Sequence, residues 1–190
     1  NTTMATRKKL AAMAYARTAE YDSAVSSWFA AQLGETTCGG SATRAYTKQL
    51  DLKYGCNPHQ GGAAIFSVGG AALPFSVANG KPGYINLLDA LNAFQLVMEL
   101  KAKLSLPAAA SFKHVSPAGA AVYVPLSDVE IEAYEVKGKE LTDTAVAYVR
   151  ARNADPLCSF GDFAAVSEVV DEATATFLKT EVSDGLIAPG

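Results

Sequence analysis

The densest run of reactive side chains is Ser111-Phe112-Lys113-His114-Val115-Ser116-Pro117-Ala118-Gly119. An imidazole with its ordinary pKa near ~6.5 can take up a proton at neutral pH. An ammonium beside it can stabilise an oxyanion as it forms. The same charge disfavours protonation of the imidazole and keeps it available as a base. Adjacent residues of a strand point to opposite faces, so Lys113 and His114 can share a site only where a strand ends. Ser116-Pro117 reads as that end, with Ser as a helix N-cap and Pro at the first helical position. The backbone donors of such a helix start could hold an anion. The plain alternative is an exposed lysine beside a hydrogen-bonded core histidine.

Three further turns carry polar groups. Lys53-Tyr54-Gly55-Cys56-Asn57-Pro58-His59-Gln60 reads as a ligand loop, because Asn-Pro favours a turn. The alternative is a turn before a strand. In Asp155-Pro156-Leu157-Cys158-Ser159-Phe160-Gly161-Asp162, Gly161 would permit close backbone approach. Val182-Ser183-Asp184-Gly185 is a turn whose carboxylate could accept hydrogen bonds from hydroxyls. Taken singly, each of the last two is more simply an ordinary turn. Cys158 has no local activating partner and is expected to be a small buried thiol. No dinucleotide-binding glycine motif, phosphate-binding loop or nucleophile elbow is present.

Apolar periodicity supplies the elements that must position these groups. Residues 6–33 read as one long helix or two, capped by Thr6 and ended by Gly34. Residues 34–43 are small and polar and read as a linker. Ala63–Val68 and Leu73–Ala78 read as two strands about Gly69-Gly70. Asn86–Leu104 is a helix with a wide apolar face, barred from continuing by Pro107. Ala108–Lys113 is a short buried strand, Thr142–Arg152 a helix, and Phe163–Val166 a strand. Asp171–Lys179 is a helix with acids at its start and Lys at its end. Strands alternating with helices indicate a layered α/β fold.

Composition excludes several classes. The chain has 190 residues, 49% apolar and 18% charged, which is too apolar for a disordered chain. At ~150 residues per domain it allows one domain, or one and a part. A net charge of −3 gives no electrostatic footprint for nucleic acid. Residues 61–80 carry no charge, but their glycines and Pro74 argue against a membrane helix. Arg17, Glu20 and Asp22 interrupt any secretory leader. Cys38, Cys56 and Cys158 are odd in number and widely spaced, which favours a reducing compartment over a disulfide scaffold. With two histidines and no C-x-x-C pair, a structural zinc is not expected. An Asn1 start without Met is expected of a processed or excised piece.

Taken together, the turns resemble a known family. Lys53–Gln60, Pro82-Gly83-Tyr84-Ile85-Asn86-Leu87-Leu88-Asp89-Ala90-Leu91-Asn92, Ser111–Ala121, Ser159-Phe160-Gly161-Asp162 and Glu181-Val182-Ser183-Asp184-Gly185 occur in that family's order and at similar spacing. The head matches as well, from Thr6-Arg7 through Thr18-Ala19-Glu20-Tyr21-Asp22 to Trp28-Phe29. The family joins 5-aminoimidazole-4-carboxamide ribonucleotide (AICAR) transformylase to IMP cyclohydrolase. The resemblance implies that residues 1–35 are the helical tail of the cyclohydrolase domain. It makes 36–47 a linker and 48–190 the first half of the transformylase. It implies a layered α/β/α, cytidine-deaminase-like fold for that half, without the zinc motif of true deaminases. The implied reaction moves a formyl group from the cosubstrate 10-formyltetrahydrofolate to the 5-amino group of AICAR, and the product closes to IMP. By resemblance His114 is the proton acceptor and Lys113 the transition-state stabiliser. Lys53, Tyr54, Gly161 and Asp184 are AICAR contacts, and His59 supports the site. The resemblance further implies a cytoplasmic homodimer with its site between subunits, and neither nucleic-acid nor membrane partners. The family's usual Arg before Tyr-Gly is Lys53 here, which keeps the charge without the bidentate fork. Cys56 and Cys158 stand where the family commonly has polar, non-thiol residues. The competing expectation is a catalytically incomplete nucleotide-binding or assembly module.

Overall fold

The computed structural model describes residues 2–37 and 39–190, so Cys38 lies outside the described residues. It divides into two compact units, residues 1–53 with 60–81, and residues 54–59 with 82–190.

The first unit begins with α1, Met4–Gln32. Thr3, rather than Thr6, is its N-cap, its side chain accepting from Thr6 N–H. The helix closes as expected at Gly34, which has φ 71°. Gly34 N–H donates to Ala31 O and Glu35 N–H to Ala30 O, a Schellman closure that needs a residue tolerant of positive φ. Leu10, Met13, Tyr21, Trp28 and Phe29 are exposed on α1. A β-hairpin completes the unit, with β1 (Tyr46–Asp51) antiparallel to β2 (Ala64–Val68) and a bulge between Lys48 and Leu50. β2 matches the sequence expectation, but its predicted partner Leu73–Ala78 is not a strand. Pro74 lacks the N–H a ladder requires. The actual partner, β1, is polar enough at Thr47, Lys48 and Gln49 to conceal its extended conformation from apolar periodicity. Among the described residues no helix is long and apolar enough to cross a membrane.

The second unit is a layered α/β arrangement. α2 (Tyr84–Leu104) leads to β3 (Ala108–Lys113) and β4 (Ser116–Val122). Then follow α3 (Asp128–Ala133), α4 (Asp143–Asn153), β5 (Asp162–Val166), α5 (Glu172–Thr180) and β6 (Ser183–Ile187). The sheet order is β4-β3-β5-β6, antiparallel except for the β5–β6 pair. Alternation along β3 explains the layers. Ala108, Ala110 and Phe112 pack with Ala93 and Val97 of α2, whereas Ala109 packs with Tyr148 and Ala151 of α4. The strand residues at the centre are mostly alanines, so the helices lie close to the sheet and supply most of the bulk.

One expectation fails at the place that matters most. Ser116-Pro117 does not start a helix, because Ser116–Val122 is strand β4, paired to β3 from Lys113↔Ser116 onward. Proline is tolerated there because β4 is an edge strand and carries a bulge beside Pro117. Gly119 has a packing reason to be glycine, since a Cβ would lie 2.0 Å from Ala151 O of α4. The Val182–Gly185 turn also proves to be extended, as the start of β6.

Candidate functional site

β3 and β4 are joined by only His114 and Val115, with φ 53° and 64°. Positive φ at both central residues is the type I′ hairpin, whose twist matches the flanking strands. It also meets the condition that the sequence imposed: Lys113 ends its strand, and His114 sits at the tip. Ser116-Pro117, as part of β4, offers no helix N-terminus to hold an anion. The turn normally favours Asn-Gly, and a β-branched residue at positive φ is an outlier that costs on the order of 1–3 kcal/mol. The surrounding contacts must therefore hold this tip.

One such contact comes from α2. Asp89 is 5% exposed, and its Oδ1 accepts from Val115 N–H at 2.6 Å. Burial pushes its carboxyl above the ordinary range, against the opposing pull of the Val115 amide and of His114. One helical turn earlier, Asn86 accepts from Gly83 N–H at 3.0 Å and donates from Nδ2 to Asp184 Oδ2 at 3.3 Å. Tyr54 adjoins the same helix start: its carbonyl accepts from Tyr84 N–H at 3.3 Å, and its ring would crowd any Cβ on Gly83. Neither Asn86 nor Asp89 stands out in the sequence as a site residue. The available signal was an acid at position 89 on the apolar face of a helix.

Lys113 is held from the other side. Its Nζ donates to the Phe160 carbonyl, and the Gly161 carbonyl lies 3.4 Å away. Gly161 has φ 70°, and a Cβ there would lie 3.0 Å from that ammonium. Glycine thus admits the lysine head and meets the backbone requirement together. The 159–161 loop is itself anchored to a buried polar cluster. Ser111 Oγ donates to Asp162 Oδ2 at 2.6 Å and Tyr148 OH donates to the same oxygen at 3.1 Å. Arg152 Nη1 donates to Ser159 O at 2.8 Å. It also faces Asp162 Oδ1 at 3.1 Å, an ion-pair distance but off line for a hydrogen bond. Arg152 Nε donates to Glu181 Oε2 at 2.8 Å, just ahead of β6. Burial, then the Asp162 charge, pushes the Tyr148 hydroxyl far up, so it stays a donor.

The structure thus gathers Tyr54, Lys113, His114, Gly161 and Asp184 at one end of the sheet, with Asn86 and Asp89 joining them. His59 is exposed in the 54–59 segment, and among the described residues no hydrogen bond links it to the group. Lys53 belongs to the first unit. Cys158 is exposed rather than buried. Its thiol is held up by a hydrogen bond to Asp155 and by that carboxylate's charge. Chemically, the group pairs a histidine at a strand tip with an ammonium cradled by carbonyls and with a carboxylate able to accept from hydroxyls.

Comparison with known proteins gives a consistent picture. Residues 1–190 match the family model described as AICARFT/IMPCHase bienzyme. The chain is 37% identical over 194 residues to the bifunctional purine biosynthesis protein PurH of Parvibaculum lavamentivorans, covering 99% of this chain and 32% of that protein. It is 36% identical over 198 residues to the protein of the same description from Roseobacter denitrificans, covering 100% and 33%. Against the Myxococcus xanthus protein of that description it is 35% identical over 189 residues, covering 97% and 32%. The chain spans about a third of the length of these relatives.

Proposed function

This chain belongs to the AICARFT/IMPCHase bienzyme family, and from that membership we propose that it serves purine biosynthesis as the part of a formyltransferase site that carries the proton acceptor. The substrate is AICAR and the cosubstrate is 10-formyltetrahydrofolate. The 5-amino nitrogen attacks the formyl carbon and forms a C–N bond. His114 takes the proton that this nitrogen loses. Lys113 stabilises the oxyanion of the tetrahedral intermediate. Breaking the bond between the formyl carbon and the folate nitrogen expels tetrahydrofolate, and the proton returns from His114 to that nitrogen. Lys113 suits its task because an ammonium has three protons and two carbonyls engage it here. Tyr54, Gly161 and Asp184 contact AICAR, with Lys53 supplying positive charge and His59 supporting the loop.

The observation that carries this reading is the strand-tip pairing of Lys113 with His114 in a member of this family. We further assign residues 1–35 to the end of a cyclohydrolase domain, 36–47 to a linker and 48–190 to the first transformylase half. Remaining site groups come from outside this chain, in a cytoplasmic homodimer whose subunits share the site. The coverage of about a third of the PurH relatives supports that view, as do the free thiols of Cys56 and Cys158 for a reducing compartment. Formylation of AICAR by the full-length protein tests the assignment. Lys113→Met is expected to lower kcat by about 100-fold or more, and near-normal turnover would contradict it. The same limited coverage supports one alternative, a module that binds nucleotide without turnover. AICAR calorimetry distinguishes the two: heat of binding together with no formyl transfer by the full-length protein favours the module.

A further inference from the structure

The hairpin tip combines a left-handed backbone with a β-branched residue ill suited to it, so what holds it matters to whatever His114 does. Val115, β-branched at φ 64°, would leave this conformation readily if unsupported. Its amide is met by a carboxylate from a different element, at the short distance of 2.6 Å. Asp89 is buried, and among the described residues it forms no salt bridge. The charged or titratable groups facing it are His114 and Lys113 from the hairpin and Asp184 from β6. A desolvated carboxylate is costly to keep on an apolar helix face. An aliphatic side chain would serve α2 packing with less penalty. The one contact that only an acceptor at position 89 can make is the contact to the tip.

We propose that Asp89 is a positioning residue, whose carboxylate holds Val115 N–H and thereby fixes the left-handed hairpin tip that presents His114 and Lys113. The consequence for activity rests on the formyl-transfer reading, but the structural half of the proposal does not. Four variants separate position from charge. Asp89→Asn keeps an acceptor oxygen and removes the charge. Asp89→Ala removes both, and Asp89→Leu replaces it where the alanine variant fails to fold. Asp89→Ala combined with Val115→Gly removes the anchor but supplies a residue that adopts positive φ without help.

In the full-length protein, Asp89→Ala is expected to lower kcat for formyl transfer by roughly 10- to 100-fold. The KM for AICAR should stay within about twofold, since the contacts assigned to AICAR lie elsewhere. Asp89→Asn should retain kcat within about threefold, and the double variant should recover most of the loss. Wild-type turnover in Asp89→Ala, no recovery in the double variant, or equal damage from Asn and Ala would each overturn the proposal. Hydrogen exchange of the Val115 amide, followed by NMR without substrate, needs no assumption about the reaction. Exchange should quicken by at least about 10-fold in Asp89→Ala and stay protected in Asp89→Asn. Unchanged exchange in Asp89→Ala would overturn the proposal. If the wild type transfers no formyl group, the functional reading fails, and the exchange result still decides the role of Asp89.

Discussion

Strand β3 ends in two contrasting environments a few residues apart. Ser111 lies inside a polar cluster in which Tyr148, Arg152, Ser159 and Asp162 are all buried and, apart from the off-line Asp162 Oδ1, hydrogen-bonded. His114 lies exposed on a turn whose left-handed backbone is ill suited to its β-branched partner Val115. The first environment is ordered by mutual satisfaction of groups that cannot afford to be left unpaired. The second is unfavourable locally and depends on neighbours for its shape. The interior cluster fixes the 159–161 loop, the loop carbonyls hold Lys113, and Asp89 holds the other side of the turn. Stability is therefore concentrated one turn of the chain away from the residues proposed to react.

The largest effect that tests this division is Asp162→Ala. It takes away one of the two carboxylates facing the buried Arg152 guanidinium, leaving Glu181 alone, and strips the acceptor from the Ser111 and Tyr148 hydroxyls. Breaking such a buried network costs on the order of 3–5 kcal/mol. Urea denaturation should show that loss, and a change below about 1 kcal/mol would mean the cluster is not the stabilising region. Tyr148→Phe deletes one donor to a charged acceptor and is expected to cost about 1.5–3 kcal/mol by the same method. At the tip the sign reverses. Val115→Gly should raise stability by about 1 kcal/mol, because relief of the positive-φ strain exceeds the added freedom of the unfolded chain. A loss there would show that the turn is not strained.

The smallest effect concerns pH. The Asp89 carboxyl is raised in the fold, so the folded protein binds that proton more tightly than the unfolded chain. Its contribution is full below the ordinary carboxylate pKa of ~3.9 and is lost as pH rises through the raised folded value. Asp89→Asn should therefore be the more stable form at neutral pH, with the gap closing as pH falls toward ~4. A gap that widens in acid would contradict a desolvated Asp89.

Much of this division was legible in the sequence, for reasons that differ by element. α2, α4 and α5 announce themselves by apolar spacing and by flanking caps or breakers such as Thr142, Asp171 and Pro107. The pair proposed to react was visible because Lys113-His114 follows an apolar strand. The turn type was not, because Ser116-Pro117 satisfies the rules for a helix start as well as those for a bulged edge strand. Strand β6 was hidden by Ser183-Asp184-Gly185, residues that ordinarily mark turns. The Arg152–Asp162 pair and the reach of Asp89 to Val115 are tertiary contacts between elements, and no local pattern encodes them. The sequence thus pointed to the side chains that could react and left unseen the ones that hold them.

One paired measurement on His114→Ala bears most directly on the account. His114 lies on the exposed tip, outside the buried cluster, so its removal should leave the urea midpoint within error of the wild type. Formylation of AICAR by the full-length protein should fall by about 100- to 10,000-fold, the range for loss of a general base. An unchanged midpoint with near-normal formyl transfer would contradict the assignment of chemistry to the hairpin tip.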